Sequence, residues 1–123
     1  MTFMPTVLIV DDSPTESHVL QAIVRRHGYE ALTAANGEQG IVIAIRERPD
    51  VILMDVVMPG MNGFQATRRL TKTAETAHIP VLLVSTKDQE TDRIWGIRQG
   101  AADYLTKPVN EQVLISKLKN LVK

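Results

Sequence analysis

A chain of 123 residues, 44% apolar and 23% charged, is sized for one folded domain with one core. Its 14 basic residues balance its 14 acidic ones, which removes any general electrostatic pull toward nucleic acid or an anionic membrane. It has no Cys, so disulfide and thiolate chemistry are excluded, in keeping with a cytoplasmic setting.

Two further exclusions come from local composition. No apolar window approaches the roughly 18 residues of a membrane span, and Met1 to Pro5 lacks the basic and apolar regions of a leader.

Taken in chain order, the pattern is strand then helix, five times over. Val7-Leu8-Ile9-Val10 reads as a first strand running into Asp11-Asp12. Ser13-Pro14-Thr15-Glu16 has the form of a capping box with Pro at the first helical position. The helix it opens turns Leu20, Ile23, Val24 and His27 inward and stops at Gly28. Glu30 to Ala34 is a second, more polar strand, expected near a sheet edge, and Asn36-Gly37-Glu38-Gln39 opens the second helix.

That helix carries Ile41-Val42-Ile43-Ala44-Ile45, apolar all round. The spacing admits two readings: a helix wedged on its neighbour with surplus apolar surface, or a face for a partner.

Val51 to Met54 is the third strand and runs into Asp55. After the loop Val56 to Met61, Asn62 caps a third helix expected to reach Lys72. Val81 to Val84 runs into Ser85-Thr86, and Asp88 to Arg98 reads as a fourth helix ended by Gly100. The short run Ala101 to Leu105 leads to Thr106-Lys107-Pro108, and Asn110 caps a last helix with Leu114, Leu118 and Leu121 inward. Alternating units of this kind predict an α/β fold: a doubly wound parallel sheet of five strands with helices on both faces, in one domain over residues 1–123.

In such a sheet the carboxyl ends of the strands open on one edge, where ligands bind. Asp11, Asp12, Asp55, Ser85 and Lys107 all stand at strand ends and are expected to converge there. Close carboxylates repel unless a cation intervenes, and a hard ion such as Mg²⁺ with oxygen ligands suits them. An Asp carboxylate is a nucleophile for phosphoryl groups. Such transfer needs mainly in-line positioning and charge neutralisation, which Mg²⁺ and Lys107 would provide.

With these residues in place, the chain resembles the receiver domain of two-component response regulators over essentially its whole length. The likeness rests on Asp11-Asp12, Leu53-Met54-Asp55 with Met58-Pro59 and Asn62-Gly63, Ser85, and Gly100-Ala101 leading to Tyr104 and Lys107-Pro108. The resemblance implies a flavodoxin-like (βα)5 sheet in the order 2-1-3-4-5, the order found in chemotaxis receivers. It implies that Asp55 accepts phosphate from a histidine kinase, that Asp12, Asp55 and the Val57 main-chain carbonyl ligate Mg²⁺, and that Asp11 acts through a metal-bound water. It further implies that Lys107 contacts the phosphoryl group and that the Lys107-Pro108 bond is cis.

Ser85 and Tyr104 would form a switch pair. Ser85 moves toward the phosphoryl group, and Tyr104 turns from exposed to buried, altering the surface of helix four, strand five and helix five. On that surface Trp95 reads either as a core or groove residue or as a partner contact alongside Tyr104. His18, His27 and His78 have no metal-like spacing and read as structural or surface groups.

The departures from the family pattern are Thr86 after Ser85, where a smaller residue is usual, and Val57 and Lys87, which cannot position a hydrolytic water. They predict slow loss of the phosphoryl group. The surface segments are similar to PilH-type receivers of twitching-motility (type IV pilus chemosensory) systems. With the chain ending at Lys123, a stand-alone receiver without an output domain is expected, a monomer or weak dimer that acts on a downstream protein or drains phosphate from a shared kinase.

Two other classes compete. An aspartate-nucleophile phosphatase would carry a second Asp after its nucleophile, where Val56-Val57 stand, and a flavodoxin-like redox protein would show a phosphate loop. A phosphorylation-independent scaffold would tend to lose the acidic pair, the acceptor or the lysine, and all are present.

Overall fold

A computed structural model describes residues 4–122. Met1 to Phe3, part of the segment read as lacking leader character, and Lys123, on which the expectation of no output domain turns, lie outside the described residues.

Ten elements alternate along the chain: β1 (Thr6–Val10), α1 (Pro14–Arg26), β2 (Glu30–Ala34), α2 (Gly37–Glu47), β3 (Val51–Asp55), α3 (Gly63–Thr71), β4 (Val81–Ser85), α4 (Glu90–Arg98), β5 (Asp103–Thr106) and α5 (Glu111–Leu121). The strands form one parallel sheet in the order β2-β1-β3-β4-β5. β3 and β4 are buried at every residue, as strands covered on both faces must be. β2, with only Ala34 buried, lies on an edge, as its polarity predicts.

Strand alternation sends successive side chains to opposite faces, so one run of apolar residues supplies two cores. Val7, Ile9, Leu53, Leu82 and Leu105 pack with Leu20, Val24, Leu114 and Leu118 of α1 and α5. Leu8, Val10, Ile52, Met54 and Leu83 pack with Ile41 and Ala44 of α2 and Ala66 and Leu70 of α3. Each fully buried Leu or Ile contributes about 2 kcal/mol by removal from water, and these two layers hold the strand ends in register. Among the described residues no helix is long and apolar enough to cross a membrane.

The helix starts follow their capping chemistry. Asn36, Asn62 and Asn110 each accept the N–H three residues on, at 2.8, 2.9 and 3.1 Å. Asn62 and Gln65 complete a reciprocal box. α1 departs from the expected box: Ser13 Oγ accepts the Glu16 N–H at 3.3 Å, but the Glu16 carboxylate turns to Lys107 instead of back to the cap.

Other boundaries and burials differ in detail. α3 ends at Thr71 with Lys72 as its cap. α4 begins at Glu90, two residues later than expected, where the Asp92 carboxylate accepts the Gln89 N–H at 3.2 Å. His27 is exposed, not inward: it terminates α1, and its Nε2 lies 2.8 Å from Glu111 Oε2. Leu121, near the end of the last helix, is only half-buried. In α2 Ile41 and Ala44 are buried, Ile43 and Ile45 are half-buried against the core, and Val42 alone of the five stands exposed. The wedged reading therefore describes this helix.

Candidate functional site

Parallel pairing places the carboxyl ends of β1, β3, β4 and β5 on one edge. Asp55 stands opposite Val84, and Ser85 opposite Thr106. Asp11 follows β1 directly, its N–H donating to the Ala34 carbonyl at 3.1 Å. At this edge Asp11, Asp12 and Asp55 each offer a carboxylate oxygen within 4.8 Å of the other two, among the described residues the sole such group of three. Asp11 and Asp55 are buried and Asp12 is exposed.

Each acid is held differently. Asp11 Oδ1 accepts the Ser13 N–H at 2.8 Å, and Oδ2 lies 3.4 Å from Lys107 Nζ. Asp55 ends β3, and behind it α3 begins at Gly63, whose N–H donates to the Val56 carbonyl at 2.9 Å. A Cβ at Gly63 would overlap the Asp55 carbonyl oxygen, so the close approach of α3 to the end of β3 requires glycine there.

Burial pushes the Asp55 carboxyl up from its ordinary 3.8 to about 6. The Lys107 charge pulls it down, and the negative charge of Asp11 adds to the rise. A carboxylate that is costly to ionise, beside two more of its kind, is an arrangement a divalent cation relieves. The donor set is all oxygen and fits Mg²⁺.

Lys107 comes from the loop after β5. Its N–H donates to the Ser85 carbonyl at 2.7 Å, which extends the β4–β5 edge by one bond, and the Lys107-Pro108 peptide bond is cis. Its ammonium lies 3.5 Å from Asp55 Oδ1, 3.4 Å from Asp11 Oδ2 and 2.9 Å from Glu16 Oε1. Burial works against its charge, but the Glu16 contact and the charges of Asp55 and Asp11 outweigh that and hold its pKa above the ordinary lysine value. It stays an ammonium throughout the physiological range.

Glu16 is a member of this site that sequence reasoning misses. Its position in a capping motif accounts for it locally, and nothing local in the chain signals its pairing with Lys107.

Ser85 is fully buried and its Oγ accepts the Lys87 N–H at 3.1 Å. Tyr104, expected to turn between exposed and buried positions, stands in the buried one: it is 7% exposed, and its hydroxyl donates to the Lys87 carbonyl at 2.7 Å. Beside the ring, Gly96 lets α4 approach β4 closely: a Cβ there would lie 2.5 Å from Leu83 Cδ1. Burial raises the Tyr104 phenol pKa, so it remains a donor at neutral pH. Ser85 and Tyr104 thus grip the two sides of one residue's backbone, that of Lys87.

Val57 and Lys87 are exposed beside the site, as is Thr86. Trp95 is 51% exposed and flanked by the exposed Ile94 and Ile97. With Phe64, Gln65 and Gln99 it borders a groove between α3 and α4. His18, His27 and His78 are all exposed and take no part in the acidic cluster.

Known proteins resemble this chain in sequence and in fold. Residues 7–119 match the family model described as the response regulator receiver domain. Protein PilH of Pseudomonas aeruginosa is 61% identical over 115 residues, which cover 94% of this chain and 95% of that protein. Response regulator PleD of Caulobacter vibrioides is 40% identical over 95% of this chain, a stretch that is 26% of PleD.

Among solved structures, the chemotaxis protein CheY4 of Vibrio cholerae superposes with a TM-score of 0.91 at 32% identity, covering 98% of this chain and all of that one. The receiver domain of a Pseudomonas aeruginosa sensor histidine kinase, solved with a magnesium ion coordinated in its active site cleft, gives 0.89 at 30% identity, covering 97% and 98%.

Proposed function

The chain belongs to the response regulator receiver family, and on that premise we propose that it is a phosphorylation-controlled switch whose acceptor is Asp55. One observation carries the reading: the Lys107 ammonium stands within 3.5 Å of a buried carboxylate that shares its edge with two further acids. Asp55 Oδ bonds to the phosphorus of a kinase phosphohistidine. The P–N bond breaks with its electron pair going to the imidazole, which takes up a proton from solvent. Lys107 offsets the charge gathering on the phosphoryl oxygens, and buried Ser85 supplies a hydroxyl at the same edge.

Asp12, Asp55 and the Val57 carbonyl would hold Mg²⁺, with Asp11 acting through a water. When bound, the ion neutralises the clustered acids and the incoming phosphoryl charge.

Ser85 and Tyr104 then form the output device. A shift of Ser85 toward the phosphoryl group pulls on the Lys87 backbone that both side chains hold. The change reaches α4, whose Trp95, Ile94 and Ile97 present apolar surface to a downstream protein. The 61% identity to PilH supports a role in type IV pilus signalling, in the cytoplasm, with a chemosensory histidine kinase as donor.

The decisive experiment is labelling with Mg²⁺ and acetyl phosphate, followed by mapping of the modified residue by mass spectrometry. The wild type is expected to label on Asp55 and Asp55→Asn to remain unlabelled. Modification at another residue, or labelling of the variant, overturns the assignment.

A further inference from the structure

The Lys107 ammonium has three N–H donors and faces three carboxylates, Asp11, Asp55 and Glu16. Its nearest partner is Glu16 at 2.9 Å, not the acceptor at 3.5 Å or Asp11 at 3.4 Å. The three differ in how easily they can let go. The Asp11 side chain is 1% exposed and tied by its other oxygen to the Ser13 N–H. The Asp55 side chain is 9% exposed and is itself the site of reaction. The Glu16 side chain is 49% exposed, and among the described residues its carboxylate has no other partner.

A phosphoryl group on Asp55 brings new oxygens to this ammonium, so one existing contact must yield. Water can receive the Glu16 carboxylate at little cost, but it cannot reach Asp11.

We propose that Glu16 is a positioning residue that holds Lys107 back from Asp55 in the unphosphorylated protein and is displaced from it when the phosphoryl group arrives, so that it restrains the rate of loading. The proposal rests on Asp55 being the acceptor. Glu16 sits in the first turn of α1, its backbone fixed by the Ser13 cap, so its side chain alone makes the movement. Before loading, its charge occupies the lysine that the transfer uses and adds to the negative field an anionic donor must enter.

The test follows loading by acetyl phosphate with Mg²⁺. There an Asp55 oxygen bonds to phosphorus, the P–O bond to the acetyl group breaks, and acetate leaves with the electron pair. Intact-mass spectrometry should show Glu16→Gln loading about two- to fivefold faster than wild type, the range of a partly exposed ion pair.

A second readout needs no variant and would not respond to a merely structural role. In wild-type protein, beryllofluoride with Mg²⁺ should move the Glu16 ¹³Cδ resonance to the position of a solvated glutamate and shift the Lys107 ¹⁵Nζ resonance at the same time. Unchanged or slower loading of Glu16→Gln, or a stationary Glu16 ¹³Cδ signal, overturns the proposal while Asp55 labelling stands. Failure of wild type to label at Asp55 removes both.

Discussion

At Asp55 the physics of a single side chain sets a measurable pH dependence. Burial raises its carboxyl from 3.8 to about 6, so the folded protein holds this proton more tightly than the unfolded chain does. The cost of ionising it is absent below about pH 4, grows as pH rises through that interval, and is fully present above about pH 6. Asp55→Asn removes the cost. With divalent ions chelated, the variant should be more stable than wild type by about 1–2 kcal/mol at pH 8, after discounting for solvent and nearby charge, and by nothing at pH 4. Thermal melts at the two pH values check this, and a gain that grows toward low pH would contradict the stated burial.

Elements place these side chains, and the tightest placement is α3 against the end of β3. Because a Cβ at Gly63 meets the Asp55 carbonyl oxygen, Gly63→Ala must displace either the helix start or the end of β3. Urea unfolding should show a loss of about 2–3 kcal/mol, and acetyl-phosphate loading should fall with it.

α4 stands at the other extreme. Its sole buried residue is Gly96, where a Cβ would lie 2.5 Å from Leu83 Cδ1, and the rest of the helix is exposed or half-exposed. An element so lightly held can shift at small cost, as the proposed output surface requires.

Across the whole molecule the same unevenness should appear as a gradient of backbone protection. β1, β3 and β4 are paired on both sides and lie between the two cores, so hydrogen exchange should find them opening only with global unfolding. β2, on an edge with one buried residue, and α4 should exchange earlier. Equal protection of α4 and β3 would show that the helix is bound more firmly than its packing indicates.

Five strands, five helices, their order and the convergence of Asp11, Asp12, Asp55, Ser85 and Lys107 are legible in the chain. Apolar runs of fixed period set each element, and strands running parallel must bring their ends to one edge. What the sequence does not show depends on contacts between segments far apart along it. Glu16 reads as a cap until Lys107 of a distant loop arrives beside it. Tyr104 can be read as exposed or buried until its hydroxyl finds the Lys87 carbonyl. His27 reads as inward until Glu111 meets it at the surface. Local periodicity decides which face a residue occupies, whereas the partner it finds there is decided by packing, because charge pairing and ring burial depend on distances that exist only once the layers have closed.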